Sequence, residues 1–449
     1  MRASEIAFAV NARQSTAREM AEQALARIAA ARDLNAIVTT DPERTRAEAD
    51  AVDARVAAGE TLPLAGVPVV VKDNIWVAGW RITQGSRLFA EFTAPEDAIA
   101  VARVRRAGAV VVGIGATSEF ACKGVTTSLL FGPTHHPQDP RLTPGGSSGG
   151  PAAAVAAGLV PLAIGTDAGG SSRRPPAHVG VVGFKPSYGA IPYGPGFPEP
   201  FWGISVIAPI AADVGDARLA FEVMAGADPR DPDSFDVPAA HPAKPLSVAF
   251  SPRLGLDTAV DDEVSTGLQQ AVDRLRAKGM MIVNRDPVWP SGLAEDAVMP
   301  LQHAGLAALH GDAFRKDPAQ FDPDIARQIE RGLSLSGADV GRALEASTRI
   351  ARAFASFFTE VDVLLAPTVP CVAWPLTQLG PTTIGGRPAS PRAHAVFTPS
   401  ANHAGVPAIS VPCGTNAQGL PFGLQLIAAR GRDRMLLDVA AEAERVLLV

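Results

Sequence analysis

Cysteine is scarce in this 449-residue chain: Cys122, Cys371 and Cys413 are the only three, far apart and without a CxxC pair. That excludes a disulfide framework and a cysteine zinc site, and fits a reducing compartment. Charge is sparse as well, at 19% of residues, with a net charge of −6 and no basic run or basic–aromatic interleaving. Nucleic acid is therefore not the expected partner, because neutralising phosphates requires clustered Lys and Arg. No apolar run approaches the roughly 18 residues of a membrane span; Ala152 to Gly165 comes nearest and contains Pro161. The first residues, Met1 to Ile6, carry no apolar stretch of signal-peptide length before Asn11 and Arg13. These absences together lead us to expect a cytoplasmic protein with no membrane contact.

Apolar residues, glycine and proline are plentiful. Hydrophobic residues make up 47% of the chain, enough for a sizeable core. Ser15 to Arg32 has helical periodicity, with Ser15 as the expected N-cap and Met20, Ala24, Leu25 and Ile28 on one face. Short apolar strands are expected at Leu64–Val71, Ala109–Gly113, Val160–Thr166 and Val179–Phe184, with helices at Asp97–Ala107 and Pro151–Ala157 between them. Alternating strands and helices with near-continuous apolar strands predict an α/β fold. Its sheet should be large, mixed and mostly parallel, with helices on both faces. From about 213 to 360 the pattern turns helical (Asp261–Lys278, Leu301–His310, Asp324–Arg331, Ala338–Thr359), and strands return at Val361–Leu365, Ala408–Val411 and Gly423–Ile427. No polar linker brackets this stretch, so one domain over 1–449 with a helix-rich excursion is expected.

Two glycine-rich turns carry serines 24 positions apart, Ser147 in Gly145–Gly150 and Ser171 in Gly165–Ser171. Upstream, Lys72 closes the apolar run Val69-Val70-Val71. Glycines let the backbone approach a substrate and direct bare N–H groups at it. Gly145–Gly149 formally matches GxSxG, but that elbow needs a strand running into the serine, and Asp139–Pro144 is polar and holds two prolines. No Gly-Lys-Ser/Thr follows, so it is not a P-loop. Read by itself GGSSGG is a flexible loop. A helix and a strand join the two turns, which allows both to reach one sheet edge with the helix's positive end facing them. Lys72 is either an exposed strand end or a buried base. A base role needs its pKa lowered from ~10.4 to ~7–8, about 4 kcal/mol, which burial can supply. The pair His135-His136 lacks further ligands at metal spacing and reads as a polar loop, and Cys122 as buried filler. Phe197, Phe201 and Trp202, in a Pro/Gly-rich stretch, either wall a substrate pocket or pack a loop.

The run from Gly145 through Ser171, continued by Arg173, Pro175 and Gly183-Phe184-Lys185-Pro186, resembles the amidase signature. Gly66–Asn74, Thr117–Phe120, Phe131–Thr134, Asp362–Thr368, Ala404–Pro412 and Gly419–Ile427 are similar to the same family, so the likeness covers nearly the whole chain, the helical middle least. The resemblance implies the amidase signature fold and a Ser–cis-Ser–Lys triad. Ser171 would be the nucleophile, Ser147 the bridging serine after a cis Gly146–Ser147 bond, and Lys72 the base. The N–H groups of Ala168, Gly169, Gly170 and Ser171 would surround the oxyanion. Neither metal nor organic cofactor is implied. Departures from the family pattern are Ser172, Arg174, Pro176, His136 and Ala208-Pro209-Ile210, none at a triad position.

The expected function is hydrolysis of small hydrophobic or aryl amides, with carbamates (a urethanase activity) or esters as variants. The expected partner is the small-molecule amide or carbamate substrate, met by a monomer or homodimer. The competing reading is an amidotransferase A-type subunit that supplies ammonia to a tRNA-dependent partner.

Overall fold

Lys72 and Thr166 lie at the C-terminal ends of neighbouring parallel strands, the third and fourth of an eleven-stranded sheet. The computed structural model describes residues 1–239, 246–291 and 296–448. In chain order the strands are β1 (Ile37–Thr39), β2 (Pro68–Lys72), β3 (Val110–Gly115), β4 (Thr127–Ser128), β5 (Gly132–Pro133), β6 (Leu162–Asp167), β7 (Val182–Lys185) and β8 (Val206–Ala211). They continue with β9 (Val248–Phe250), β10 (Ile282–Asn284), β11 (Val363–Pro367), β12 (Thr383–Ile384), β13 (Arg387–Pro388), β14 (Ala408–Thr415) and β15 (Pro421–Ala428). The large sheet runs β1-β3-β2-β6-β8-β7-β14-β15-β11-β9-β10, and β4–β5 and β12–β13 form separate two-stranded ribbons.

The sheet is mixed and helix-covered, as expected, but its parallel share is smaller than the apolar strands imply. Only β2–β3, β2–β6, β11–β9 and β10–β9 pair in parallel; the other six pairings are antiparallel. Burial explains the difference. Every residue of β2, β3, β6, β8, β11 and β15 is buried, so both faces are covered and each strand is largely apolar whichever way its neighbours run.

Helix boundaries follow local chemistry. The first long amphipathic helix is Ala17–Ala30, and Thr16, not Ser15, caps it: Thr16 Oγ1 accepts from the Glu19 N–H while Glu19 accepts from the Thr16 N–H. Ser15 instead donates to Glu19 at 2.7 Å. The helix expected from Pro151 begins two residues earlier, at Gly149, immediately after the Ser147 turn. A short helix that the sequence pattern hid, Arg174–Val179, follows the second serine turn. One hydrophobic cluster holds buried side chains from Ala3 to Leu447. In the helical middle, Met299–Lys316 and Pro323–Ser334 build a second cluster with Phe120, Cys122 and Phe201, around Leu306, Phe321 and Ile325. Among the described residues no helix is long and apolar enough to cross a membrane.

Candidate active site

β2 and β6 run side by side with Val71 opposite Ile164, so their C-terminal ends deliver Lys72 and Thr166 to the same edge. Open α/β sheets place ligands outside such carboxyl ends. Lys72 is fully buried, and its side-chain nitrogen reaches Ser147 Oγ at 2.8 Å and Thr166 Oγ1 at 2.9 Å. Asn74 Nδ2 donates to the same threonine hydroxyl at 3.0 Å. Removal from water lowers the Lys72 pKa to about 7, against the attraction of Asp167, the next largest influence. A lysine with that pKa is half neutral near pH 7, and its nitrogen stands against a serine hydroxyl.

Ser147 is fully buried behind a Gly146–Ser147 peptide that is cis. A Cβ on Gly146 would sit 2.6 Å from the Val125 carbonyl carbon, so only glycine fits there. Thr126 Oγ1 donates to the Gly145 carbonyl at 2.9 Å and accepts the Gly149 N–H at 2.9 Å, clamping both ends of the turn. The Ser148 N–H reaches the Ser171 carbonyl at 3.3 Å, which ties the first serine turn to the second.

Ser171 has the strand–turn–helix setting that Ser147 lacks: β6 leads in and Arg174–Val179 leads out. Asp167 organises this turn from below, accepting the N–H groups of Gly170 at 2.7 Å and Ser172 at 3.1 Å. Arg173, fully buried, holds both Asp167 oxygens at 3.0 Å and directs its remaining donors to the Thr398 carbonyl, Gln425 Oε1 and Asn402 Oδ1. The coulombic pull of Arg173 leads the forces that hold Asp167 well below the usual carboxylate range despite burial, which opposes them.

This arrangement removes one expected oxyanion donor. Gly170 N–H is engaged by Asp167, whereas those of Ala168, Gly169 and Ser171 have no acceptor among the described residues. Gly170 itself must be glycine, with φ +110° and Thr398 Oγ1 where a Cβ would stand.

A cavity of about 610 Å³ opens above these groups, lined by Ala168, Gly169 and Ser171 on its floor. Of the three aromatics that either wall a pocket or pack a loop, Phe201 lines this cavity, beside Ile204, Met299 and Leu301. Phe197 packs instead against Trp76, Phe89 and Phe92, with ring centroids 4.8 to 5.6 Å away. Trp202 is half exposed and donates its Nε1–H to the Leu301 carbonyl at 2.7 Å. Cys122 lines the cavity, but burial pushes its thiol well up, so it is no nucleophile. His135 and His136 bond the carbonyls of Pro140 and His178.

Sequence reading missed the supports. Gln425 was legible as a polar residue inside the apolar strand Phe422–Ile427. Asn402 and Thr398 lie more than 200 residues from the turn they hold and carry no local signal. Ser172, unusual for its position, donates to the Thr166 carbonyl at 3.0 Å and lies 3.3 Å from Ser148 Oγ, a hydroxyl pair that needs no apolar packing.

Known proteins share this chain's sequence and fold over nearly its whole length. The A-type subunit of the glutamyl-tRNA(Gln) amidotransferase of Deinococcus radiodurans is 36% identical over 474 aligned residues, 99% of this chain and 97% of that one. A bacterial aryl acylamidase of the amidase signature enzymes superposes with a TM-score of 0.92 at 28% identity, covering 99% and 96% of the two chains. The A-type subunit of the glutamyl-tRNA(Gln) amidotransferase of Thermotoga maritima superposes with a TM-score of 0.74 at 27% identity, covering 95% and 91%. With the Amidase family model matching residues 19–437 as well, the buried lysine, the two serine turns and the sheet that presents them belong to one inheritance: the chain is a member of the Amidase family.

Proposed function

We propose that this protein is a serine hydrolase that cleaves C–N bonds of small apolar or aryl amides through an acyl-enzyme on Ser171, with carbamates and esters as related substrates. The observation that carries the reading is the Lys72–Ser147 hydrogen bond of 2.8 Å at a lysine held near pKa 7 by burial. Neutral Lys72 takes the Ser147 proton as Ser147 takes that of Ser171, and Ser171 Oγ attacks the carbonyl carbon. The N–H groups of Ala168, Gly169 and Ser171 receive the developing oxyanion; one such donor is worth about 3 kcal/mol in the transition state. The proton returns through Ser147 to the leaving nitrogen, the C–N bond breaks, and water entering by the same relay releases the acid. Phe201, Ile204 and Met299 supply an apolar wall for an acyl or aryl group. The protein acts alone on its substrate, as a monomer or homodimer in the cytoplasm.

The closeness in shape to the aryl acylamidase favours this reading. The higher sequence identity to amidotransferase subunits favours a second one, in which the chain releases ammonia for a tRNA-dependent partner. Turnover of a matched aryl amide and aryl carbamate by the purified chain, wild type and Ser171→Ala, separates them. Cleavage by wild type alone is expected, and the two rates name the preferred bond. An inert wild type that gains activity only with an added partner supports the second reading, and undiminished turnover by Ser171→Ala would remove Ser171 as nucleophile.

A further inference from the structure

Arg174 is 7% exposed, lines the cavity three residues after Ser171, and has no carboxylate bonded to it among the described residues. Its Nε is buried without a partner, and its two amino groups make only long contacts, 3.3 Å to His394 Nδ1 and 3.4 Å to the Gly146 carbonyl. Burial, then Arg392, lowers its pKa to about 9, which leaves it a cation at neutral pH. His394, held neutral by burial and by Arg174, brings no negative charge to offset it. A buried charge without a counterion is costly, and its neighbour Arg173 shows how fully this fold satisfies one when the role is structural.

The cavity as a whole points the same way. Among the described residues five cationic side chains line it against two carboxylates, in a chain whose net charge is −6. Lys123 is neutralised by Asp322 at 2.5 Å and Arg327 by Asp324; with these pairs and Arg392 set aside, Arg174 and Arg331 remain against Asp296 among the described lining residues. A concave, low-dielectric site lined by one sign of charge concentrates ligands of the other. Arginine also presents a planar fork that matches a carboxylate.

We propose that the natural substrate carries a carboxylate as well as its scissile carbonyl, and that Arg174 is the residue that selects for it. The inference rests on the hydrolase reading of the same cavity and adds the substrate class: amide or carbamate acids rather than neutral amides. The apolar wall then takes the carbon skeleton between the two polar groups.

The test compares succinic acid monoanilide with 4-methylpentananilide, in which an isopropyl group replaces the carboxylate. A second pair moves the acid to the leaving group, as butyryl 4-aminobenzoate against butyryl 4-isopropylanilide. Wild type is expected to favour the acid of at least one pair by more than tenfold in kcat/KM. That ratio should fall to near one in Arg174→Gln and recover in part in Arg174→Lys. Labelling of Arg174→Gln by a neutral serine-directed phosphonate shows that the site remains assembled, a readout on which a merely structural residue would fail. Equal ratios in wild type and Arg174→Gln overturn the proposal. Calorimetric binding of the same anilides to Ser171→Ala and Ser171→Ala/Arg174→Gln reads selection without turnover. Arg174-dependent binding of the acid with no turnover by wild type sinks the hydrolase reading and keeps the carboxylate site. Turnover with no such preference does the reverse, and absence of both preference and binding overturns the carboxylate site.

Discussion

The floor and the wall of the cavity are built by different rules, and adjacent residues mark the border. On the floor, Arg173 gives its donors to Asp167, Asn402, Gln425 and the Thr398 carbonyl, drawing strand β6, strand β15 and the Pro399–His403 helix onto the nucleophile turn. On the wall, Arg174 faces the cavity with an unpartnered Nε, among side chains of helices that begin more than a hundred residues later. Full satisfaction rigidifies the floor, because each buried polar group there would cost free energy if released. Incomplete satisfaction leaves the wall with charge to offer a ligand. On the proposed function, the reaction belongs to the first region and the choice of substrate to the second.

The sharpest way to break the comparison is at Lys72, where the floor does chemistry. Lys72→Met is expected to lower kcat/KM by about 10²–10⁴-fold, since Ser147 loses its proton acceptor. Wild-type kcat/KM should rise with pH around a midpoint near 7, as Lys72 becomes neutral, and the residual rate of the variant should lack that limb. Stability carries the same titration. The unfolded chain holds this proton up to pH ~10.4, so between about 7 and 10 it binds more protons than the folded protein, and wild type gains stability as pH rises. Denaturant titrations should therefore find Lys72→Met more stable than wild type below pH 7, with the gap closing towards pH 10. A gap that ignores pH would show that burial does not set this lysine's pKa.

Arg173→Met comes next. It strands the Asp167 carboxylate and two side-chain amides in the interior, and breaking one partner out of a buried pair costs about 3–5 kcal/mol. Guanidinium melts should show that loss, and acid should narrow it: Asp167 is held low in wild type, so stability from the pair is present above pH ~3.9 and disappears as pH falls through the lowered native pKa.

How much of this was legible in the sequence follows the same border. The strands stood out because they are buried on both faces and therefore mostly apolar, but that same burial hides direction, so apolar runs alone do not tell that the pairings among β6, β7, β8, β14 and β15 are antiparallel. Lys72, Ser147 and Ser171 were picked out from spacing and family likeness because each sits in a short local pattern, a lysine closing an apolar strand or a serine in a glycine-rich turn, whereas the supports at Thr398, Asn402 and Gln425 lie more than 200 residues away. The wall is not local. Nothing in Pro195–Gly203 tells that Phe201 turns inward while Phe197 joins Trp76 and Phe92, since a turn-rich loop has no periodicity to fix the facing of its side chains. Met299 and Leu301 reach the cavity from the helical middle, where an amphipathic pattern marks what is buried but not what it is buried against.

The aromatic pair tests that distinction at intermediate size. Phe197→Ala should cost about 3 kcal/mol of stability by opening a hole among three packed rings, with kcat/KM per folded enzyme little changed. Phe201→Ala should instead raise KM for an apolar anilide several-fold. Reversal of the two would place the substrate on the other side of this loop.

The smallest effect expected is the one that separates floor from wall most cleanly. Arg174→Met keeps the length and much of the apolar stem of the side chain while removing a cation that no carboxylate among the described residues answers. An uncompensated buried charge opposes folding, so its loss should leave stability unchanged or raise it by up to about 1 kcal/mol, against a loss several times larger at Arg173. Side by side in one denaturant series, the two variants compare neighbouring buried arginines that differ in whether they have partners. A loss at Arg174 as large as that at Arg173 would mean that the contacts to His394 and Gly146 carry structural weight despite their length. A gain would identify Arg174 as a residue kept against stability, as expected of a group whose partner arrives with the substrate.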